Sequence, residues 1–265
     1  GVRCSTDIAY ADDGIKAHML DIYRPEDSQE KILPVIINVH GGGLIIGNKE
    51  FNRYFCALLC KKGFLVYSIE YRLIPDCLIY DQLADVFMAM DYIKERLAAD
   101  GGDSSHVYMA GDSGGACLIT YANAIQNSTN IARAANVTPS GLRINALGLI
   151  SGMFYTSRFD KIGLFLPKYL YGRDYKKTSF AKYVNPENRE LLNSLAPVWL
   201  VTSHNDFLRR YTTDFEKALT RAEREHELVA FPKNKKLTHA FSVFEPFLPE
   251  SSAVIDMMVE YLRKF

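Results

Sequence analysis

The stretch Val107-Tyr108-Met109-Ala110-Gly111-Asp112-Ser113-Gly114-Gly115 decides how this chain is read. Residues 107–110 have strand character, the next five form a small-residue turn, and a helix-forming apolar run follows from Ala116 to Ile125. Within the turn, residues 111–115 fit the pattern G-x-S-x-G, in the strand–turn–helix setting which that pattern requires. So sharp a turn strains the central residue, and side chains two places to either side would collide, which favours glycine there. Ser113 is then raised above the strand ends, with the positive end of the following helix beneath it. Taken alone, the pattern fits an ordinary strand-to-helix turn equally well. The remaining residues decide between the two.

At 265 residues the chain is long enough for one large α/β domain with a sizeable core, and we expect a single domain over 1–265. Hydrophobic residues make up 48% and charged residues 23%, an ordinary globular composition. The 31 basic and 31 acidic residues cancel, which gives no electrostatic case for a nucleic-acid partner or an anionic membrane surface. Apolar runs stay well short of the roughly 20 residues that span a bilayer, so no membrane association is expected. Gly1-Val2-Arg3-Cys4 leads straight into an alternating strand rather than a secretory leader. The five cysteines are scattered, without CxxC or Cys/His ligand spacing, and read as buried free thiols. A reducing, cytoplasmic location follows as the expectation.

Read outward from the turn, residues 3–10 and 15–23 alternate about a Gly14-containing turn and predict an antiparallel hairpin. Residues 34–40 form an apolar run typical of a buried central strand, ending in His40-Gly41-Gly42-Gly43. A helix is predicted over 51–62 and a strand over 64–69. In the next helix Leu83, Val86, Phe87, Met90, Ile93 and Leu97 share one face. Further buried strands are predicted over 142–150 and 198–203, then an amphipathic helix through Tyr211, Phe215, Ala218, Leu219 and Ala222. A short strand over 227–231 and a terminal helix with Ile255, Met258, Val259 and Leu262 inward complete the pattern. Residues 151–197 carry nine aromatics, and a structureless loop of that length is uncommon in a compact domain, so this segment is read as an inserted helical lid. Alternating strands and helices imply a mostly parallel, eight-stranded sheet covered on both faces. Sites on such sheets form beyond the carboxyl ends of the strands, where His40, Ser113, Asp206 and His239 all fall.

Ser113 becomes a nucleophile only if a base takes its proton, and that base needs an orienting acid. Of the six histidines, His18 lies in a strand, His106 opens the strand before the turn, and His226 sits at a polar helix end. His204 is two residues before Asp206 and could support that residue. His239, on a loop after the last strand, is the candidate base. Asp206, just past the strand over 198–203, is the candidate acid; the competing readings are Asp214, which lies on the following helix and points elsewhere, and a purely structural cap role for Asp206. Acyl transfer develops negative charge on a carbonyl oxygen, and the bare backbone N–H groups of the glycine triplet could meet it. A phosphate-binding loop is the competing reading of that triplet, but the Gly-Lys-Ser/Thr ending and the G-x-G-x-x-G spacing are both missing.

His40-Gly41-Gly42-Gly43, Tyr71-Arg72-Leu73-Ile74-Pro75, residues 111–115, Asp206-Phe207-Leu208-Arg209 and His239-Ala240-Phe241 together resemble the signature blocks of the hormone-sensitive-lipase-like esterases of the α/β-hydrolase fold. The order Ser113, Asp206, His239 is that of α/β-hydrolases. The resemblance implies an oxyanion hole from the N–H groups of Gly42, Gly43 and Gly114, with Gly41 as a further candidate. It implies that Tyr71-Arg72 braces the loop beneath that hole rather than clamping a substrate carboxylate; Asp81 is read as the cap of the following helix, and Asp112 as holding the turn rather than acting on substrate. Several positions depart from the family pattern. Gly114 replaces the usual alanine, which should loosen the turn, and Leu44 stands where an aromatic is common, which should alter the acyl-pocket wall. Phe207 and Ala240 replace the usual proline and glycine. The long N-terminal cap segment of many members has no counterpart here, so cover should come mainly from 151–197, leaving an open site or one covered by a partner subunit in a homodimer.

The implied chemistry is cofactor-free hydrolysis of a small-molecule ester with a short acyl group, by nucleophilic attack of Ser113, proton transfer through His239 and orientation by Asp206. No metal site is expected. An arylformamidase or small peptidase would use the same groups on another bond. A non-catalytic ligand-binding protein is the remaining class, although such proteins usually lose one of the three side chains. One or two of the nine aromatics in 151–197 are expected to reach the pocket.

Overall fold

A parallel strand buried on both faces must be apolar at successive positions rather than at alternate ones. β3 (Leu33–Val39) meets that requirement: Val35, Ile37 and Val39 face one core while Ile36 faces the other, and all four are fully buried. It forms the centre of the sheet in this computed structural model, which describes residues 1–28 and 31–265. The other strands are β1 (Val2–Ala9), β2 (Met19–Pro25), β4 (Leu65–Ile69), β5 (Gly102–Asp112), β6 (Ala146–Ile150), β7 (Val198–Ser203) and β8 (His226–Phe231). Among the described residues they form one eight-stranded sheet in the order β1-β2-β4-β3-β5-β6-β7-β8. β2 is antiparallel to β1 and β4, and the remaining pairs are parallel.

Helices cover both faces, as expected. α1 (Arg53–Lys61) packs on one face with the terminal helix, while α2 (Ile79–Arg96) and α3 (Ser113–Asn127) pack on the other. All six residues predicted to face inward from the 83–97 pattern are buried. Each such large apolar side chain contributes roughly 1.5–3 kcal/mol of burial. α4 (Thr129–Ala135), α5 (Lys161–Phe165), α6 (Pro167–Leu170) and α7 (Arg189–Asn193) are short. α8 (Arg209–Arg221), α9 (Phe241–Phe244) and α10 (Pro249–Leu262) complete the set. None of the described helices is long and apolar enough to cross a membrane.

The differences from the expected elements have local causes. The hairpin ladder stops at Ala9 and resumes at Met19, and its register shifts between Ser5 and Ile8, where Asp7 adopts a positive φ. The strand expected over 142–150 is confined to Ala146–Ile150. At its start Asn145 donates its N–H to Val107 O and accepts the Val107 N–H on its side-chain oxygen, so a side chain takes over from the ladder. β5 begins five residues earlier than expected, because Gly102 already pairs with Leu33. A 3-10 turn over Lys49–Asn52 takes the place of the first turn of the helix expected at 51. Residues 151–197 hold only the short α5, α6 and α7 and two 3-10 turns; the segment is pinned to α3 where the buried hydroxyls of Tyr121 and Tyr171 lie 3.2 Å apart, and Tyr171 meets Thr156 of the same segment at 2.7 Å. Cys4 is exposed, against the expectation that the cysteines are buried; the other four are buried, and all five are free thiols.

Candidate active site

The turn after β5 is as tight as its glycines require. Ser113 has φ 51°, in the left-handed region, and a Cβ on Gly115 would lie 2.2 Å from Val39 O and 2.5 Å from His40 O. Only glycine lets the start of α3 close onto the end of β3 at that distance. The hydroxyl of Ser113 consequently emerges at the carboxyl edge of the sheet, 8% exposed, at the floor of a cleft.

Residues from three distant parts of the chain meet there. His239 Nε2 lies 2.9 Å from Ser113 Oγ, and His239 Nδ1 lies 2.7 Å from Asp206 Oδ1. Burial raises the Asp206 carboxyl, but the hydrogen bond and charge of His239, the Ser151 hydroxyl and the N–H of Leu208 outweigh it and hold the group below its ordinary value. An ionised Asp206 can only accept, so the imidazole donates from Nδ1 and Nε2 is left to accept the Ser113 hydroxyl proton. Asp206 is fixed by further donors: Thr202 Oγ1 to Oδ2 at 3.0 Å and Leu208 N to Oδ1 at 2.8 Å. The base loop is tied down by Ser151, whose hydroxyl accepts the N–H of Ala240 at 3.1 Å. Ser151 and Thr202 were not singled out from the sequence. Both are single hydroxyl residues at strand ends, and only the folded register brings them to the acid.

The glycine loop lies on the other side of Ser113. Gly41 is not available as a donor into the cleft, because its N–H is held by Asp112 Oδ1 at 3.0 Å. Gly42 and Gly43 line the cleft, and their N–H groups have no acceptor among the described residues. Gly114 lies in the first turn of α3, where intrahelical acceptors are lacking. Its expected looseness is overturned: a Cβ there would lie 2.9 Å from Leu44 N and 3.1 Å from the backbone of Gly43, so the loop approaches more closely than alanine allows. Leu44 does not form the pocket wall either. It is fully buried, and Ile45 and Ile46 line the cleft instead. Three braces hold the loop from behind: the Asp112 contact, Tyr71 Oη donating to His40 O at 2.8 Å, and Gln82 Nε2 donating to Leu44 O at 3.0 Å. Arg72 supports α2 through Asp85, and Asp81 caps that helix by accepting the Leu78 N–H at 2.8 Å. Gln82 and Asn52, which donates to Asp112 Oδ1, are further residues that sequence reasoning missed.

The other histidines lie elsewhere. His18 is buried between Asp13 and Asp85, His106 faces Asp103, and His226 faces Glu216. His204 does not support Asp206: it is exposed, with its ring against the Arg209 guanidinium. Asp214 pairs with Arg158. Of the nine aromatics in 151–197, Phe165 and Tyr169 line the cleft, while Phe154, Tyr171, Phe180 and Tyr183 are buried in the core. The cleft has a volume of about 590 Å³ and is lined largely by apolar side chains. Among the described residues, no group of three or more His, Cys, Asp or Glu side chains is placed to hold a metal ion.

A protein-family model described as alpha/beta hydrolase fold matches residues 36–242. A probable isoprenylcysteine alpha-carbonyl methylesterase of Oryza sativa subsp. japonica is 29% identical over 184 residues, 65% of this chain and 44% of that protein. Tuliposide A-converting enzyme b1 of Tulipa gesneriana is 30% identical over 131 residues, 44% of this chain and 35% of that protein. The chain thus spans less than half the length of these curated relatives. A crystal structure titled as a C4-C4 SN3 tributyrin phosphonate inhibited by esterase B from Lactobacillus Rhamnosis matches with a TM-score of 0.92 at 23% identity, covering 99% of this chain and 85% of that one. At that identity the likeness shows the fold.

Proposed function

The chain belongs to the α/β-hydrolase fold-3 family, the hormone-sensitive-lipase-like hydrolases, and from that premise we propose that it is a cofactor-free serine esterase acting on short acyl esters of small molecules. The observation that carries this reading is the hydrogen-bonded series Ser113–His239–Asp206, opening into an apolar cleft beside unpaired glycine N–H groups. In the reaction, Ser113 Oγ bonds to the ester carbonyl carbon while His239 Nε2 takes its proton. Asp206 keeps the imidazole in the tautomer that can accept, and stabilises the imidazolium that forms. The N–H groups of Gly42, Gly43 and Gly114 receive the developing oxyanion, each worth about 3 kcal/mol of transition-state stabilisation. The tetrahedral intermediate then expels the alcohol oxygen, which takes the proton from Nε2. Water, activated by the same imidazole, releases the acid from the acyl-enzyme.

We assign 151–197 as a lid over this cleft, contributing Met153, Ile162 and Tyr169 to its walls. The short-acyl preference is supported by the C4-C4 tributyrin phosphonate named for the bacterial esterase, a compound with butyryl-length chains. The test is a p-nitrophenyl ester series from acetate to decanoate, with an anilide of the best acyl group alongside. The reading expects acetate to butyrate to be the best substrates and the anilide to be far slower. Decanoate exceeding butyrate, or the anilide matching the ester, would overturn it.

A further inference from the structure

The side chain of Phe207 is 73% exposed, an unusual position for a phenylalanine, yet its ring lies with its centroid 4.3 Å from that of the His239 imidazole, tilted by 42°. Phe207 and His239 line the same cleft as Ser113. The loop is not free to swing, because the neighbouring Leu208 is buried and its N–H is held by Asp206 at 2.8 Å. The ring is therefore presented to the cleft from a fixed backbone, and among the described residues its only aromatic partner is the imidazole.

The chemistry identifies which part of a substrate would meet it. An ester held for attack has its carbonyl oxygen toward the glycine N–H groups and its alcohol oxygen near His239 Nε2, because that nitrogen must hand over the proton as the C–O bond breaks. The group attached to that oxygen then extends past the imidazole, where Phe207 stands. The acyl chain leaves in another direction, toward neither the imidazole nor the oxyanion donors. A flat ring on the alcohol side can pack against the bare face of Phe207, whereas a flexible alkyl group meets it with less contact.

We propose that Phe207 is the specificity-determining wall of the leaving-group subsite, and that this subsite takes an aromatic alcohol. The inference rests on the serine-esterase reading above and adds the alcohol class to it. Phenyl acetate and 2,2,2-trifluoroethyl acetate give the same acetyl-enzyme, so any change in their kcat/KM ratio arises before the alcohol leaves. Wild type should favour phenyl acetate. Phe207→Ala and Phe207→Leu should each lower the phenyl-to-trifluoroethyl ratio by about three- to tenfold, chiefly through KM for the aryl ester, while Phe207→Tyr keeps it. The acetate-to-butyrate ratio with a common p-nitrophenyl group should not move. A phenyl-to-trifluoroethyl ratio unchanged in both Phe207→Ala and Phe207→Leu, whether or not the two rates fall together, overturns the inference while leaving the esterase reading intact, provided Ser113 still takes a fluorophosphonate. If wild type hydrolyses neither acetate and Ser113 takes no label, both fall.

Discussion

The carboxylate of Asp112, one residue before Ser113, accepts the backbone N–H of Gly41 at 3.0 Å. One side chain thus fixes the separation between the serine turn and the glycine loop. Its other oxygen, Oδ2, is buried without a hydrogen-bond partner among the described residues, against the space that a Cβ on Gly41 would need. Rigid spacing of these two elements is what an oxyanion site would require, since donors must already sit where charge develops.

That arrangement has a pH signature. Burial raises the Asp112 carboxyl above its ordinary 3.8, against the opposing pull of Asn52, His40, His239 and Gly41. A carboxyl raised in the folded state costs stability as it ionises, so its penalty is absent below 3.8 and grows as pH rises through the higher native value. Asp112→Asn keeps an acceptor oxygen for Gly41 and Asn52 but has no charge to desolvate. Urea unfolding at several pH values should show a smaller loss of stability from about pH 4 upward in this variant than in wild type. Parallel curves would contradict the assignment.

Asp206 has the opposite sign. Burial opposes its ionisation, but His239, Ser151 and Leu208 hold it below 3.8, so the stability it provides is present above 3.8 and is lost as pH falls through the lower native value. Asp206→Asn should remove that acid-labile contribution. It should also lower kcat by about 10⁴-fold, because an amide that donates to Nδ1 imposes the wrong tautomer. Steady-state kinetics and acid titration of the folded protein measure the two effects separately. A kcat within tenfold of wild type would contradict the role given to this residue.

Gly114→Ala places a methyl group 2.9 Å from Leu44 N. The loop must then retreat, at a cost of roughly 1–3 kcal/mol. We expect kcat/KM to fall by about tenfold or more, with unchanged circular dichroism. Full activity would show that the glycine loop yields without affecting the chemistry.

Tyr71→Phe leaves the buried His40 carbonyl without the hydroxyl that now donates to it at 2.8 Å. An unsatisfied buried acceptor costs about 1–3 kcal/mol, and urea denaturation should report a loss in that range. A loss below about 0.5 kcal/mol would mean that the stacking of the His40 and Tyr71 rings, 4.4 Å apart, holds the loop unaided.

Legibility in the sequence followed the range of the interactions. The alternation of strands and helices and the positions of Ser113, Asp206 and His239 after strand ends could be read directly, because each depends on local pattern and chain order. The buried helix face through Leu83, Met90 and Ile93 was equally plain. Contacts between distant segments were not. Nothing local shows that Asp112 occupies the N–H of Gly41, that Gln82 reaches Leu44, or that Ser151 meets the base loop at Ala240. Gly114 shows the limit most clearly. As a departure from the family pattern it suggested a looser turn, while the folded chain uses the missing methyl group to bring the glycine loop closer. His204 was likewise misplaced, since two residues of separation from Asp206 do not determine which way its ring turns.

The most direct measurement is intact-mass and peptide mapping after treatment with a fluorophosphonate, on wild type and Ser113→Ala. The account predicts a single adduct on wild type, located at Ser113, and none on the variant, whose ester hydrolysis should fall by about 10⁶-fold. A wild-type protein that takes no label, or a variant that is labelled and turns over ester as before, would contradict it.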